Sequence, residues 1–443
     1  MKIKFFGNAF LKVEFESGQR VVCDPWILDG AYYGSWFHYP PIAVEDDIYE
    51  ESDFIYISHL HPDHFDVRSL EFFKRSTPVV IAKRTNPALL NGLNALGFAN
   101  VHQLESGKFH SFDGLEFRVW KDFLGEDVSR HDSVNFELDS SIAMVGDGQL
   151  LLNLNDNVIE PKSAKNLKSE LPRIDCALIP YAGGGAYPQL FANLTYEEKL
   201  RARARLKNRF LDNFLEVART LDPTVTIPVA GEYVIGGKNW NYTEFLHTPT
   251  PSEIVNAWQE AGLSPNLGIL SCGDVIDLDA ELSRTKAPSV VSNRSYSHSD
   301  RVDFAKSRSE CGYVIDEFQI PSTLKLPPSK VLQHLNKARV NLGRFQLRES
   351  ISIDSTLTFE VPNLGLFRCD LSETDSHFVE ISKDTLDNRE ADLRVTLSYE
   401  YLYALLTGHV HWNNLEIGNH LLFHRTPEEY NPNLHLVLSF FHL

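Results

Sequence analysis

The stretch Ile55–Asp66, with the sequence IYISHLHPDHFD, decides the fold and the chemistry of this chain. It opens with an apolar, β-branched run, residues 54–57, which predicts a buried parallel strand. The strand then stops in His-x-His-x-Asp-His, so that a rigid strand end directs several side chains to one rim. Three imidazoles and a carboxylate suit zinc, iron or manganese, and these four groups, His59, His61, Asp63 and His64, could hold two ions. The alternative is a solvated polar loop with ordinary surface histidines, which the placement of all four groups on one rim disfavours.

The same run is the signature of the metallo-β-lactamase superfamily, which the chain resembles along much of its length. The resemblance implies an α/β fold, an αββα sandwich with a binuclear metal site between its sheets. It also implies that His59 and His61 hold the first metal, and that Asp63 and His64 hold the second. The signature is specific for the fold and much less specific for the reaction, because this scaffold supports many chemistries.

The resemblance further implies an aspartate that bridges the two metals. Asp156 is the preferred candidate, because it follows the apolar strand 150–155 at the start of a polar loop. The stretch 58–66, which we call the metal loop, follows its own strand, 54–57, in the same way. Asp147 competes with it but lies in the turn Gly-Asp-Gly, where aspartate is a common turn residue.

Two more histidine ligands are expected from the same resemblance. The third histidine of the first metal should precede the bridging aspartate by a couple of dozen residues, and His131 lies 156 − 131 = 25 residues before Asp156. His102 and His110 are alternatives inside alternating strand patterns, where a half-buried structural histidine is the simpler interpretation. The last histidine is hardest to place, and His247 is the candidate because it is the only histidine between residues 132 and 297.

Several short segments resemble one branch of the superfamily, the branch that contains the hydroxylase domain of CMP-N-acetylneuraminate hydroxylases. The segments are Asp24-Pro25-Trp26, Gly34-Ser35-Trp36, Leu152-Asn153-Leu154-Asn155-Asp156 and Pro180-Tyr181-Ala182-Gly183. This resemblance covers roughly residues 1–290. The chain departs from those hydroxylases because it has no Rieske segment, which puts the same route of electron delivery in doubt.

The composition shifts to Ser, Arg, Lys and Pro from about residue 284 to 330, which predicts a linker or wrapping segment. We therefore expect a metallo-β-lactamase-like catalytic domain at residues 1–320 and a smaller α+β domain at residues 330–443. Strands are predicted at 357–361, 366–369, 393–397, 421–423 and 434–441, with helices at 399–407 and 413–417. Their order resembles a sterol-carrier-like domain, which implies shelter for acyl chains.

The composition limits the partners and the compartment. The chain has 443 residues, with 42 basic and 60 acidic side chains and a formal charge of −18, so a nucleic-acid partner is not expected. Its five scattered cysteines form no Cys-x-x-Cys pair and suit a reducing environment. The first residues lack the apolar core of a signal peptide, and no run is long enough to span a bilayer. A cytoplasmic protein is the expectation.

Two reactions compete. In the first, two divalent ions (zinc or iron, with manganese a third option) activate water to hydrolyse an ester, thioester, amide or phosphodiester, and Asp63 and Asp156 orient that water. In the second, two irons on the same ligands activate O₂ and hydroxylate a sugar-nucleotide or carrier-bound substrate, with electrons from a separate redox partner. The substrate is a small molecule, anionic or acylated. A degenerate binding module is a third option, which the complete metal run disfavours.

Overall fold

The computed structural model describes residues 1–44, 47–121, 139–171, 173–263, 266–282, 290–317, 326–385, 392–426 and 432–443. His131, the predicted third histidine of the first metal, lies outside the described residues. The strands form two large sheets, a two-stranded ribbon and a separate five-stranded sheet. In chain order they are β1 (Lys2–Gly7), β2 (Phe10–Glu14), β3 (Arg20–Cys23), β4 (Trp36–His38), β5 (Phe54–Tyr56), β6 (Val79–Ala82), β7 (Val101–Leu104), β8 (Phe109–Phe112), β9 (Leu115–Trp120), β10 (Ser141–Gly146), β11 (Gln149–Asn153), β12 (Cys176–Pro180), β13 (Val225–Val229), β14 (Tyr233–Ile235), β15 (Asn266–Ile269), β16 (Val275–Asp277), β17 (Val290–Ser292), β18 (Thr356–Val361), β19 (Gly365–Asp370), β20 (Val379–Ile381), β21 (Asp392–Thr396) and β22 (Leu422–Thr426).

The helices flank these sheets. In chain order they are α1 (Ala31–Gly34), α2 (Asp47–Glu50), α3 (Val67–Leu70), α4 (Ala88–Ala95), α5 (Pro161–Glu170), α6 (Tyr196–Leu221), α7 (Pro251–Glu260), α8 (Leu278–Leu282), α9 (His298–Ser307), α10 (Pro328–Glu349), α11 (Tyr399–Leu406), α12 (Trp412–Ile417) and α13 (Pro432–Leu438). Short 3-10 helices lie at Gly237–Phe245, Val314–Glu317 and Lys383–Thr385.

The two large sheets form the predicted αββα sandwich. Their strand orders are β16-β1-β2-β3-β5-β6-β7 and β17-β15-β13-β12-β11-β10-β9-β8, and apolar side chains of both sheets share one core. The helices α3 and α4 contribute to a second core on the outer face of the first sheet, while α5, α6 and α7 cover the outer face of the other. Sheets covered on both faces explain why the central strands are apolar runs without alternation.

The predicted strand before the metal loop is confirmed as β5, which is fully buried and pairs in parallel with β3 and β6. The strand β11 pairs in parallel with β12, and Asp156 follows its carboxyl end. The ends of both strands therefore lie at the edge of the sandwich where loops can meet. This arrangement places the metal loop and Asp156 together.

The C-terminal region, which we define as residues 326–443, has the predicted mixture of strands and helices. Its sheet has the order β20-β19-β18-β21-β22, and a core cluster combines this sheet with α10, α11 and α13. The edge strand β22 meets the first part of the chain, because the Phe423 backbone N–H donates to Leu190 O at 2.8 Å and Ala192 N–H donates to Phe423 O at 2.6 Å. The domain limits at 320 and 330 remain a prediction.

Two expectations for residues 284–443 were incomplete or wrong, and one helix in this part of the chain was not predicted. The strand predicted at 434–441 is wrong, since α13 covers that segment up to Leu438; Leu434, Val437 and Leu438 are buried at helical spacing within it. The predicted linker at 284–330 contains β17, which extends the eight-stranded sheet, and α9, which a capping box at Ser297 begins. The long helix α10 was not predicted.

Candidate metal centre

The metal loop is a compact turn between β5 and α3. The backbone N–H groups of His64 and Phe65 both donate to His61 O, at 2.9 and 2.8 Å. Asp66 closes the loop, because its side chain accepts from Arg68 N–H as the N-cap of α3. A strand on one side and a capped helix on the other therefore fix the backbone that carries the four predicted ligands.

The first group of candidate ligands contains His59, His61 and Asp156, with ligand atoms that lie within 4.8 Å of one another. Nε2 of His59 is 2.6 Å from Nδ1 of His61. Two imidazole nitrogens that face each other at this distance need a proton or a cation between them. The convergence predicted for these three side chains is present in the described residues.

The second group contains Asp63, His64 and Asp156, again within 4.8 Å. Nε2 of His64 is 3.1 Å from Asp156 Oδ2 and 3.5 Å from Asp63 Oδ2. Asp156 belongs to both groups, which is the position that a bridging carboxylate requires.

Each of the two buried histidines has a carboxylate behind it. Nδ1 of His64 is hydrogen-bonded to Asp24 Oδ2 at 3.0 Å. Nδ1 of His59 lies 3.2 Å from Asp139 Oδ1 and 2.9 Å from Ser58 Oγ, which itself donates to Asp24. When the proton of a neutral imidazole lies on Nδ1, Nε2 is unprotonated and available to a metal, an arrangement that is common behind metal-binding histidines. Both Nε2 atoms face into the site.

Sequence reasoning missed Asp24 and Asp139. Asp24 had a usable signal, because it follows β3 as Asp156 follows β11. The parallel pairing of β3 with β5 brings Asp24 beside Ser58, whose N–H and Oγ–H both donate to it at 2.8 Å. Asp139 is the first described residue after position 138, and nothing in its local sequence pointed to His59.

The pKa shifts show a site that favours a positive charge. Burial, and then the charges of His64 and His61, hold the pKa of His59 well below its usual value, so its ring is neutral. Burial opposes a charge on His64, but the carboxylates of Asp156, Asp63 and Asp24 outweigh it and raise the pKa of His64 well above its usual value. A divalent ion would satisfy the same carboxylates. The residues present therefore fit a metal.

Unsatisfied polar atoms support the same conclusion. Among the described residues, His61 Nε2, His64 Nε2 and Asp156 Oδ1 are buried without a hydrogen-bond partner. Leaving such atoms unpaired in a protein interior costs free energy, so their clustering marks a place where a ligand is expected.

Asp63 is held by two donors from outside the loop. The Tyr32 hydroxyl donates to Asp63 Oδ1 at 2.7 Å, and Asn8 Nδ2 donates to Asp63 Oδ2 at 2.9 Å. Burial, and then the negative charge of Asp63, raise the pKa of Tyr32 well above its usual value, so the phenol stays protonated as a donor. Burial alone would raise the pKa of Asp63, but the charge of His64 lowers it, so Asp63 is ionised.

His247 lies in neither group of the described residues that could hold an ion. It is buried, and its ring stacks on Phe210 with 4.9 Å between centroids. Burial, and then the charges of Arg209, Arg203 and Arg301, lower the pKa of His247 to about 4. The structure gives no support to its prediction as the last ligand of the second metal.

Asp147, His102 and His110 also lie outside both groups of candidate ligands. Asp147 occupies the turn between β10 and β11 with φ of 57°, and its carboxylate accepts from Glu16 N–H at 2.7 Å. His102 and His110 lie in β7 and β8, as their alternating patterns indicated. Neither histidine is brought to the metal loop, and His131 remains a prediction.

The fold and this site define a class of protein. The sequence model of the family described as "Beta-lactamase superfamily domain" matches residues 2–230, which is 229 of 443 residues and just over half of the chain. The chain belongs to this superfamily, as its signature predicted.

Its relatives include hydroxylases, as the shorter motifs indicated. A Mycobacterium tuberculosis protein provisionally named a Rieske 2Fe-2S iron-sulfur protein is 27% identical over 242 residues, 52% of this chain and 44% of the relative. The cytidine monophosphate-N-acetylneuraminic acid hydroxylase of Asterias rubens is 26% identical over 292 residues, 63% of this chain and 42% of the relative. The chain thus spans less than half the length of these two relatives, so their whole-protein activities are only proposals for it.

Solved structures with similar folds include both reaction classes. The isothiocyanate hydrolase from Delia radicum gut bacteria matches with a TM-score of 0.43 and 15% identity, covering 62% of this chain and 98% of the hydrolase. CmlA, a diiron beta-hydroxylase from Streptomyces venezuelae, matches with a TM-score of 0.42 and 17% identity, covering 62% of this chain and 53% of CmlA. Neither similarity assigns a reaction to this chain.

No described helix combines the length and the apolar composition that crossing a membrane requires. The sterol-carrier-like resemblance of the C-terminal region stays a prediction.

Proposed function

We propose that this chain is a metal-dependent hydrolase that uses a binuclear site to cleave an ester, thioester, amide or phosphodiester with an activated water. The observation that carries the proposal is the pair of ligand groups that share Asp156. His59 and His61 would hold the first ion, Asp63 and His64 would hold the second, and Asp156 would contribute to both. His131 would complete the first ion's shell.

The chemistry follows from this donor set. Zinc or iron held by imidazole and carboxylate ligands would lower the pKa of a water and stabilise the oxyanion of the reacting carbonyl or phosphoryl group. The donor set includes no thiolate, since Cys23 is buried in β3 and Cys176 in β12. It therefore suits either metal.

The two aspartates would have different roles. Both oxygens of Asp63 already accept hydrogen bonds, from Tyr32 and Asn8, so the role of Asp63 would be to orient the attacking water and not to take its proton. Asp156 Oδ1 is buried and has no partner among the described residues, so it is the atom that can accept a proton from the attacking water. A general base must lie within hydrogen-bond reach of the proton that it removes, which a bridging position provides.

The substrate's apolar portion would lie in a cleft between the first part of the chain and the C-terminal region. The cleft has a volume of about 820 Å³, and its lining includes Tyr242, Leu364, Leu397, Tyr401 and Leu421. His420 also lines it, and His420 Nε2 lies 2.8 Å from the backbone oxygen of Tyr32, the residue that holds Asp63. The apolar side chains would suit the acyl portion of a substrate, and the polar residues Lys238, Asn239, Asp316 and Glu400 also line the cleft.

The second candidate function is hydroxylation of an unreactive C–H bond by a di-iron form of the same site. The observation that favours it is the similarity to relatives named as hydroxylases. In such a reaction O₂ supplies one oxygen atom to the substrate and the other leaves as water, with two electrons and two protons from outside. A separate redox protein would have to deliver those electrons.

Metal analysis of protein purified aerobically without added metal separates the two functions. Zinc, together with cleavage of model esters or phosphodiesters, supports hydrolysis. About two irons per chain, with O₂ consumption on addition of a reductant, would overturn hydrolysis in favour of the hydroxylase.

A further inference from the structure

We propose that the C-terminal region positions the second metal's carboxylate, through a relay of two hydrogen bonds from His420 to the Tyr32 backbone and from the Tyr32 side chain to Asp63. This inference rests on the proposed metal site, and it assigns His420 and Tyr32 as positioning residues. It gives the C-terminal region a role in metal binding, in addition to any role in substrate binding.

The first step of the relay is the contact between Tyr32 and Asp63. Tyr32 is only 2% exposed, and its hydroxyl lies 2.7 Å from Asp63 Oδ1. Asn8 holds the other oxygen, so the two donors together set the rotation of the carboxylate. Loss of the phenol donor would free Asp63 to rotate away from His64 and Asp156.

The conformation of Tyr32 is one that a tyrosine does not adopt without support. Tyr32 and its neighbour Tyr33 both have left-handed dihedrals, with φ of 52° and 61°. Two consecutive non-glycine residues in this region are strained, and such strain persists only where the surroundings enforce it.

The second step is the contact that enforces this conformation. Nε2 of His420 lies 2.8 Å from the Tyr32 backbone oxygen. Because a carbonyl oxygen can only accept, Nε2 must carry the proton. His420 is buried, and its ring packs edge-on against Tyr313 at 4.8 Å between centroids, so this donor has little freedom to move.

Two further contacts tie the same turn to the C-terminal region. His411 N–H donates to the Tyr33 hydroxyl at 2.9 Å, and Trp36 Nε1 donates to Ile417 O at 3.1 Å. Trp36 is itself fixed by stacking on Tyr233, with centroids 3.5 Å apart and an interplanar angle of 5°. The segment from Tyr32 to Trp36 is therefore held from the C-terminal side at three points.

The test is a metal titration of the full chain and its variants, with a chelator competing for zinc so that the affinities of the two ions are resolved. Wild type should bind two ions. Tyr32→Phe, which removes only the hydroxyl, and His420→Leu, which removes the donor to Tyr32, should weaken the second ion by roughly 10- to 100-fold and leave the first unchanged.

The controls separate positioning from a loss of folding. His420→Gln retains an N–H donor at about the reach of Nε2 and should restore binding of the second ion, while His409→Leu, an exposed histidine of the same region, should bind as wild type. If His420→Leu fails to fold, His420→Gln and Tyr32→Phe are compared with wild type instead. Wild-type affinity for both ions in Tyr32→Phe, or in folded His420→Leu, would overturn the relay, whereas a wild type that binds no metal would overturn the proposed function itself.

Discussion

Replacing Asp24 with asparagine should weaken binding of the second metal by changing the tautomer of His64, with almost no change in side-chain size. Asp24 is fully buried; its Oδ1 accepts from Ser58 N–H and its Oδ2 lies 3.0 Å from His64 Nδ1. In Asp24→Asn the amide oxygen can keep the bond to Ser58 N–H, which turns the NH₂ group toward His64. Because the NH₂ group can only donate, His64 Nδ1 must then accept. The proton of the neutral His64 ring therefore moves to Nε2, the atom that faces Asp156.

The magnitude follows from that change. A histidine protonated on its ligand atom cannot bind a metal until it changes tautomer, and losses behind metal-binding histidines cost about 10- to 100-fold in affinity, or about 1.4–2.8 kcal/mol. We expect this loss for the second ion and a smaller effect on the first, because Asp24 contacts His64 directly and His59 only through Ser58 Oγ.

A chelator-competition titration of wild type and Asp24→Asn measures both affinities. The matched control is Asp53→Asn, which makes the same change at an exposed carboxylate that accepts from Arg20 N–H at 2.8 Å. Circular dichroism checks that both variants fold. Unchanged affinity for two ions in folded Asp24→Asn would refute the tautomer argument and the assignment of His64 as a ligand.

Three further predictions concern other parts of the chain. His131→Ala should lower occupancy of the first metal by roughly 10-fold or more, while His102→Ala should not, and the reverse result by elemental analysis would transfer the ligand role to His102. The folded-state pKa of His247, about 4, lies below the unfolded value of about 6.5, so the unfolded chain binds more protons between these two pH values. The free energy of unfolding therefore decreases as the pH is lowered through this window, by up to about 3 kcal/mol at pH 4. His247→Phe, which can still stack on Phe210, should shrink that fall in urea unfolding measured at pH 7 and pH 4; an identical fall in the variant would assign the acid sensitivity elsewhere. Leu364→Trp, which narrows the cleft, should reduce turnover of a long-chain ester more than that of an acetyl ester, and equal losses would argue against the cleft as a substrate site.

The metal loop could be predicted because its information is local. A buried strand that ends in four ligand groups within six residues needs no knowledge of distant contacts, and Asp156 could be chosen by the same rule at the end of β11. Asp24 also follows a buried strand, β3, but the same rule does not show that it contacts His64, and it does not point to Tyr32. Their roles depend on which strands are neighbours and on a turn whose dihedrals are held by residues more than 380 positions away.

The errors in the C-terminal region have a similar cause. The segment 434–441 alternates apolar and other residues closely enough to suggest a strand, yet its buried positions follow a helical spacing that only packing against the neighbouring sheet reveals. Composition also misled between residues 284 and 330, since Ser, Arg and Lys are common in a linker and equally suit the exposed face of α9.

Asp156 would serve both ions of the proposed binuclear site. Elemental analysis of wild type and Asp156→Ala, both purified without added metal, measures whether it does. We expect close to two equivalents of zinc or iron in wild type and a loss of both sites' occupancy in the variant, because the carboxylate belongs to both ligand groups. A wild-type protein without stoichiometric metal, or an Asp156→Ala variant that retains two ions, would contradict this expectation.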